Sequence, residues 1–177
     1  MNISTLNEEI IKSNPYSRLI ISKKSPLHRH TFFEFSICLS GNTQNVINGK
    51  THEINKGRII LLRPQDVHQF FSETGHTSRD IYVTKDEMHR ICNLISSDLF
   101  DTIDNTELLI DFTPSSYNLS FLESNLNYFN NLSDKSEQSL KIKHINCILN
   151  ILDLWQAREW GRWRFTMLWA NALFRNV

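Results

Sequence analysis

Cysteine, proline and glycine are all scarce in this sequence, with three, four and five residues respectively among 177. The composition, 40% hydrophobic and 21% charged, excludes a collagen-like or intrinsically disordered chain and is typical of one globular domain. The three cysteines, Cys38, Cys92 and Cys147, are odd in number and flanked mainly by apolar residues, which argues against a disulfide framework. We therefore expect buried thiols in a reducing compartment.

Net charge and long hydrophobic runs are also missing. Nineteen basic residues balance nineteen acidic ones, so the overall charge gives no indication of a nucleic-acid or membrane surface. No segment approaches the roughly 18 apolar residues of a membrane span, and Glu8 and Glu9 interrupt the stretch where a signal peptide would be apolar. We expect a cytoplasmic protein without a membrane partner.

Short segments rich in β-forming residues dominate the first half of the chain. Turn residues separate them, which is typical of an all-β sandwich or barrel. Asn48-Gly49 is the strongest hairpin signal, and Ser40-Gly41-Asn42 indicates a second tight turn. The best strand candidates are residues 17–22, 32–39, 43–47, 58–62 and 67–71.

Helical spacing of apolar residues replaces this pattern after Thr84. One helix is predicted within residues 85–100, and two longer helices follow from Ser116 with a break at 133–135, each with one apolar face. We therefore expect a β-barrel at 1–86, completed by a strand near 107–113, and a helical segment at 87–156. The apolar helix faces can pack on the barrel or form a dimer seam, and the sequence favours neither.

A tail at 157–177 is rich in tryptophan and arginine. Such a tail can bind RNA or a membrane surface through stacking and cation–π contacts. We prefer a C-terminal helix that packs on its neighbours, or a segment unrelated to this fold. The tail residues concerned are Trp160, Trp163, Trp169, Arg158, Arg162, Arg164 and Arg175.

Histidines carry the clearest chemical signal. His28 and His30 are two residues apart, so on an extended strand they project from one face, and Glu34 joins them if the period holds. His68 would have to reach them from a second strand. Three imidazoles and one carboxylate form a ligand set that suits zinc, nickel, iron or manganese. The same side chains could instead be ordinary hydrogen-bonded polar groups.

The segment after His30 alternates in polarity. Its odd-numbered positions are apolar, whereas its even-numbered positions are mixed, so one face of the strand should join the core and the other should line a half-polar pocket. The odd positions are Phe33, Phe35, Ile37 and Leu39, and the even ones are Phe32, Glu34, Ser36 and Cys38.

The order of these residues resembles the two signature motifs of the cupin barrel. The first motif matches in full, at His28, His30, Glu34 and Gly41. In the second motif, which ends at His68, Asp66 replaces the usual glycine and the usual asparagine is absent. The resemblance implies a mainly β fold, a jelly-roll barrel followed by a helical pair.

More narrowly, residues 15–155 resemble the effector-binding and dimerisation domain of AraC-type transcription regulators. The stretches LHRHTFFEFSICLSG and INGKTHEINKGRIILLRPQDVHQF carry this resemblance. It implies a non-catalytic domain that senses a small molecule, often a sugar, and a homodimer formed through the helices. The ligand or a divalent transition metal would contact His28, His30, Glu34 and His68, and Gln44 could add an amide to the ligand.

Two further expectations follow from the same resemblance. Regulators of this type continue beyond the helices into two helix-turn-helix motifs that read DNA. The tail resembles neither motif, so we expect no specific DNA binding by this chain alone. The alternative function is a small metal-dependent cupin enzyme of the dioxygenase or isomerase type, in which the metal keeps positions open for substrate.

Overall fold

A computed structural model describes the chain at residues 3–13 and 16–173. Side chains are described as far as Arg158, with the exception of Ser13. The side chains of Trp160, Trp163 and Trp169, on which the interpretations of the tail depend, lie outside the described residues.

One curled sheet of eight strands forms the body of the described chain. The strands are β1 (Ser4–Leu6), β2 (Arg18–Lys24), β3 (His28–His30), β4 (Phe33–Ile47), β5 (Lys50–Asn55), β6 (Ile59–Leu62), β7 (His68–Val83) and β8 (Ile110–Phe112). Their order in the sheet is β1-β3-β7-β4-β6-β8, with β2 also paired to β7 and β5 also paired to β4. The sheet therefore centres on the two long strands, β4 and β7.

Most of the helices lie in the second half of the chain. The helices are α1 (Glu9–Ser13), α2 (Lys85–Asn93), α3 (Leu99–Asn105), α4 (Ser116–Asn127), a 3-10 turn at Tyr128–Asn130, and α5 (Glu137–Leu173). Helix α1 lies between β1 and β2, and β8 follows α3. The Thr84 hydroxyl caps α2 by accepting from the backbone N–H of Glu87 at 3.2 Å. The described part of the chain contains no helix with both the length and the hydropathy needed to cross a membrane.

The hairpin predicted at Asn48-Gly49 is confirmed. Ile47 pairs with Lys50, and the two residues between them have φ angles of 50° and 80°. Both angles are left-handed, as the two-residue turns that match the twist of a hairpin require.

The turn predicted at Ser40-Gly41-Asn42 is wrong. Residues 32–39 and 43–47 belong to the single strand β4, and the register between β4 and β7 shifts twice around Gly41, which has a φ of 77°. A β-bulge and a tight turn both favour glycine with positive φ, so the same residues indicate either one. The strand predicted at 67–71 is too short. The observed strand, β7, continues to Val83 and passes through a glycine of its own, Gly75.

The predicted alternation along β4 is confirmed. Phe33, Phe35 and Ile37 are at most 1% exposed and belong to the main hydrophobic cluster, which also contains Leu122 of α4 and Ile148 of α5. The helices therefore cover the face of the sheet that carries the odd-numbered side chains. The opposite face lines an internal cavity.

Gly41→Ala should destabilise the fold more than Gly49→Ala. Alanine at either position would be held at a positive φ, which costs roughly 1–2 kcal/mol. A Cβ at Gly41 would also lie 2.6 Å from the Gly75 carbonyl oxygen, whereas a Cβ at Gly49 would meet nothing within 4 Å. We expect a further loss of about 2 kcal/mol for Gly41→Ala in urea denaturation. Equal losses for the two variants would contradict this account of the bulge.

Candidate functional site

A polar cavity of about 710 Å³ opens inside the curled sheet. This volume lies within the range of small-molecule sites, roughly 300–1,000 Å³. Inward-facing side chains of β2, β3, β4 and β7 supply most of the lining. The polar lining residues include His28, His30, Glu34, Ser36, Thr43, Asn45, His68, His76, Ser78 and Asp80, and the aromatic ones are Phe32, Phe70 and Tyr82.

Strands β3 and β7 bring three histidines together. His28 and His30 are buried on the same side of β3, and Arg29 between them is exposed. His28 pairs in register with His68, the first residue of β7. One ring nitrogen from each of the three side chains lies within 4.8 Å of the others.

A hydrogen bond orients the ring of His28. Its Nδ1 lies 2.7 Å from the carbonyl oxygen of Pro26, which can only accept, so Nδ1 is the donor and Nε2 remains available to another partner. The Nδ1 atoms of His30 and His68 are buried without a hydrogen-bond partner. No hydrogen bond at Nδ1 therefore fixes the tautomer of either ring, and a group that binds to Nε2 can set it.

The three imidazoles fit a divalent transition metal. Two nitrogens bound to one tetrahedral zinc ion, each at roughly 2.0–2.1 Å from it, lie about 3.3 Å apart. The Nε2 atoms of His30 and His68 are 3.3 Å apart. Burial lowers the pKa of His30 to about 3 and that of His68 to about 2, and the neighbouring His28 acts in the same direction. Both rings are thus neutral near pH 7, which is the form that binds metals.

Two buried carboxyl groups line the same cavity. Glu34 Oε2 is 3.3 Å from His30 Nε2, although Glu34 is not part of the group of three converging nitrogens. Burial, followed by the charge of Asp80, raises the pKa of Glu34 well above its usual value. Burial also raises the pKa of Asp80 to about 6, although the hydroxyls of Ser36 and Ser78 donate to its Oδ1 at 2.7 and 3.1 Å.

Gln44 lies outside the cavity. The register shift between Cys38 and Ser40 adds one residue to β4, so the inward face changes from even-numbered to odd-numbered positions. Thr43 and Asn45 consequently line the cavity, and Gln44 is exposed. Sequence reasoning selected Gln44 because nothing in the residue pattern located the extra residue.

Asp80 and Asn45 were missed at the sequence level. Asp80 lies in β7 and pairs in register with Ser36 of β4. Tyr82 of β7 pairs in the same way with Glu34 of β4. No alternation in the sequence indicated Asp80, because every residue from His76 to Asp80 is polar. Asn45 could not be predicted, because its inward position depends on the β-bulge in β4.

A buried ion pair fixes the turn that leads to His68. Asp66 accepts hydrogen bonds from the backbone N–H and the guanidinium of Arg63 at 2.9–3.0 Å, and from Asn48 Nδ2 at 2.8 Å. Burial alone would raise the pKa of Asp66, but these donors outweigh it and lower the pKa. Asn48 Oδ1 in turn accepts from the N–H of Val67, the residue before His68. The aspartate that departs from the motif thus holds the start of β7 in place.

A curled β-barrel with a histidine cluster in a ligand-sized polar cavity, covered on its other face by helices, defines a small-molecule-binding domain of the cupin fold. The chain belongs to the family of AraC-like ligand binding domains, whose model matches residues 19–120. The fold class and the family expected from the sequence are confirmed. No curated protein matches the sequence.

Solved structures of cupins are similar over part of the chain. A cupin-2 domain protein from Shewanella frigidimarina is 14% identical and has a TM-score of 0.36, covering 38% of this chain and 68% of its own. A cupin 2 conserved barrel domain protein from Salinispora arenicola is 18% identical and has a TM-score of 0.38, covering 44% and 70%. Oxalate decarboxylase from Bacillus subtilis, described with Mn(II) centres, is 14% identical and has a TM-score of 0.35, covering 42% and 23%.

Acid should destabilise the metal-free fold partly through His30 and His68. Folded, these rings bind a proton only near pH 3 and pH 2, whereas unfolded histidine binds one near 6.5. The unfolded chain therefore takes up more protons as the pH falls below about 6.5, and the free energy of unfolding decreases by about 1.4 kcal/mol per pH unit for each ring. Glu34 and Asp80 act in the opposite direction, because their folded pKa values are raised.

A comparison of wild type with His68→Gln isolates the contribution of one ring. Urea denaturation between pH 7 and pH 5, in the presence of a chelator, should give a stability that falls more steeply in wild type than in the variant, by about 1.4 kcal/mol per unit in the acidic part of the range. Parallel pH profiles would contradict the burial of a neutral His68.

Proposed function

We propose that this chain is the effector-sensing domain of a transcription regulator and that it binds a small polar molecule, such as a sugar, without transforming it. The observation that carries this proposal is the cavity of about 710 Å³ with buried polar groups on its wall. Membership of the AraC-like ligand binding domain family supports it.

The proposed binding centre consists of His28, His30 and His68, with Glu34 beside them. These side chains either contact hydroxyl groups of the ligand directly or hold a divalent metal of the zinc, nickel, iron or manganese type. A bound metal would supply a Lewis acid toward oxygen atoms of the ligand. Burial keeps His30 and His68 neutral, and the carbonyl of Pro26 fixes the His28 ring.

The helices are proposed to form a homodimer whose association depends on the ligand. On α4, Tyr117 is 79% exposed and Phe121 is 51% exposed, and both border a shallow groove between α4 and α5. Tyr16 connects this part of the chain with the cavity. Its ring stacks on Phe129 at 5.6 Å, and Arg18, two residues later, lines the cavity. A ligand that favours one arrangement of this connection would shift the helix equilibrium by its preference for that state.

A metal-dependent cupin enzyme is the second candidate function. The convergence of three histidine nitrogens favours it, because such a centre leaves coordination positions open for a substrate. Formation of a product from a bound molecule would distinguish this function from sensing.

The sensing proposal is tested by screening neutral sugars, amino sugars and sugar phosphates for a rise in Tm and for a change in sedimentation. We expect at least one compound to raise the Tm of wild type, to change its association and to be recovered unchanged. Ser78→Trp, which fills the cavity at a residue that is 4% exposed, should abolish the rise in Tm.

A helix variant separates ligand binding from association. Phe121→Asp should keep the rise in Tm but remain monomeric in sedimentation, and Leu108→Asp, at a 77% exposed position between α3 and β8, should behave as wild type. An equal rise in Tm for Ser78→Trp, or turnover of the bound compound, would overturn the sensing proposal.

A further inference from the structure

The charged side chains around the cavity differ in burial according to sign. Among the described lining residues, the carboxyl groups are Glu34 and Asp80, which are 7% and 6% exposed. The cations are Arg18 and Lys24, which are both exposed on β2. The charge of Arg18 acts on Glu34, Asp80 and Tyr82, so one guanidinium faces two buried carboxyl groups, and the buried wall of the cavity is acidic on balance.

The buried arginines of the described chain make their hydrogen bonds elsewhere, although the charge of Arg79 also acts on Asp80. Arg63 is bound to Asp66, and Arg79 donates to Asn130 Oδ1 at 2.6 Å. Neither arginine lines the cavity.

The side chain of Asn45 is a second indication that the ligand brings hydrogen-bond donors into the cavity. Asn45 lines the cavity and is 6% exposed, and its Oδ1 has no hydrogen-bond partner. A buried carbonyl oxygen without a donor is unfavourable, so a bound N–H or O–H group at this position would be stabilising. The register pair of Asn45 is Phe70, another lining residue, which places this acceptor on the cavity wall.

Two aromatic rings also belong to the acidic side of the cavity. Tyr82 is the register partner of Glu34, and its ring contacts Phe32 edge to face at a centroid distance of 5.3 Å. Both rings are buried and line the cavity. Aromatic faces attract cations, particularly where water is excluded.

We propose that the ligand of this cavity carries a primary ammonium group together with hydroxyl groups, as an amino sugar does. The ammonium group binds at Asp80 and Glu34, where its N–H donors meet carboxyl oxygens and its charge compensates a buried carboxylate. The hydroxyl groups meet the imidazoles and Asn45. This inference rests on the proposed function, because it specifies which class of small molecule the sensor binds.

Three sugars with one skeleton test the proposal. Glucosamine carries the ammonium group, glucose has a hydroxyl in its place, and N-acetylglucosamine has a neutral amide there. Isothermal titration of the full chain at neutral pH should give an affinity for glucosamine at least tenfold higher than for either neutral sugar. Equal or weaker binding of glucosamine, or no binding of any of the three, would overturn the proposal.

A charge-removing variant locates the contact. Asp80→Asn should lower the affinity for glucosamine at least tenfold and change that for glucose by less than threefold. Glu53→Gln, which removes an exposed carboxyl on β5, should bind all three sugars as wild type does. Unchanged glucosamine binding by Asp80→Asn would contradict the assigned contact. Preferential binding of glucose or N-acetylglucosamine in the cavity would leave the sensing function intact while refuting the cationic ligand.

Discussion

The pairing of β4 with β7 is the constraint on which the rest of the structure depends. It extends from Phe33 opposite Val83 to Ile47 opposite His68, so one antiparallel ladder holds both ends of the candidate site. Because side chains alternate along β4, neighbouring residues of this strand lie in two different environments. Phe35 and Ile37 join the core under the helices, while Glu34 and Ser36 face the cavity. A slip of one residue would exchange the two faces, and the bulge near Gly41 makes that exchange locally within β4.

Burial of titratable groups gives the cavity its chemical character. The imidazoles of His30 and His68 are held neutral, and the raised pKa values of Glu34 and Asp80 show that their charged forms lack full compensation. A bound positive charge is therefore favourable at either place. It can be a metal ion at the neutral imidazoles or an organic cation at the carboxyl groups. By contrast, Asp66 is fully compensated by its neighbours and serves the geometry of the turn.

Much of this arrangement could be predicted from the sequence. The spacing of His28, His30 and Glu34 placed these side chains on one face, and their order, with the later His68, indicated the fold. The identity of the cavity wall beyond residue 40 could not be predicted, because one extra residue in β4 moved Asn45 inward and Gln44 outward. Such an insertion leaves no periodic trace, since glycine marks turns and bulges alike.

The central claim is that β3 and β7 make three imidazoles converge inside the barrel. Elemental mass spectrometry after loading untagged protein with Zn²⁺ and dialysing it tests this claim most directly. The account predicts one zinc ion per chain for wild type and for His89→Ala, which alters an exposed histidine on α2, and loss of that ion in His30→Ala. Zinc bound equally by wild type and by His30→Ala would contradict it.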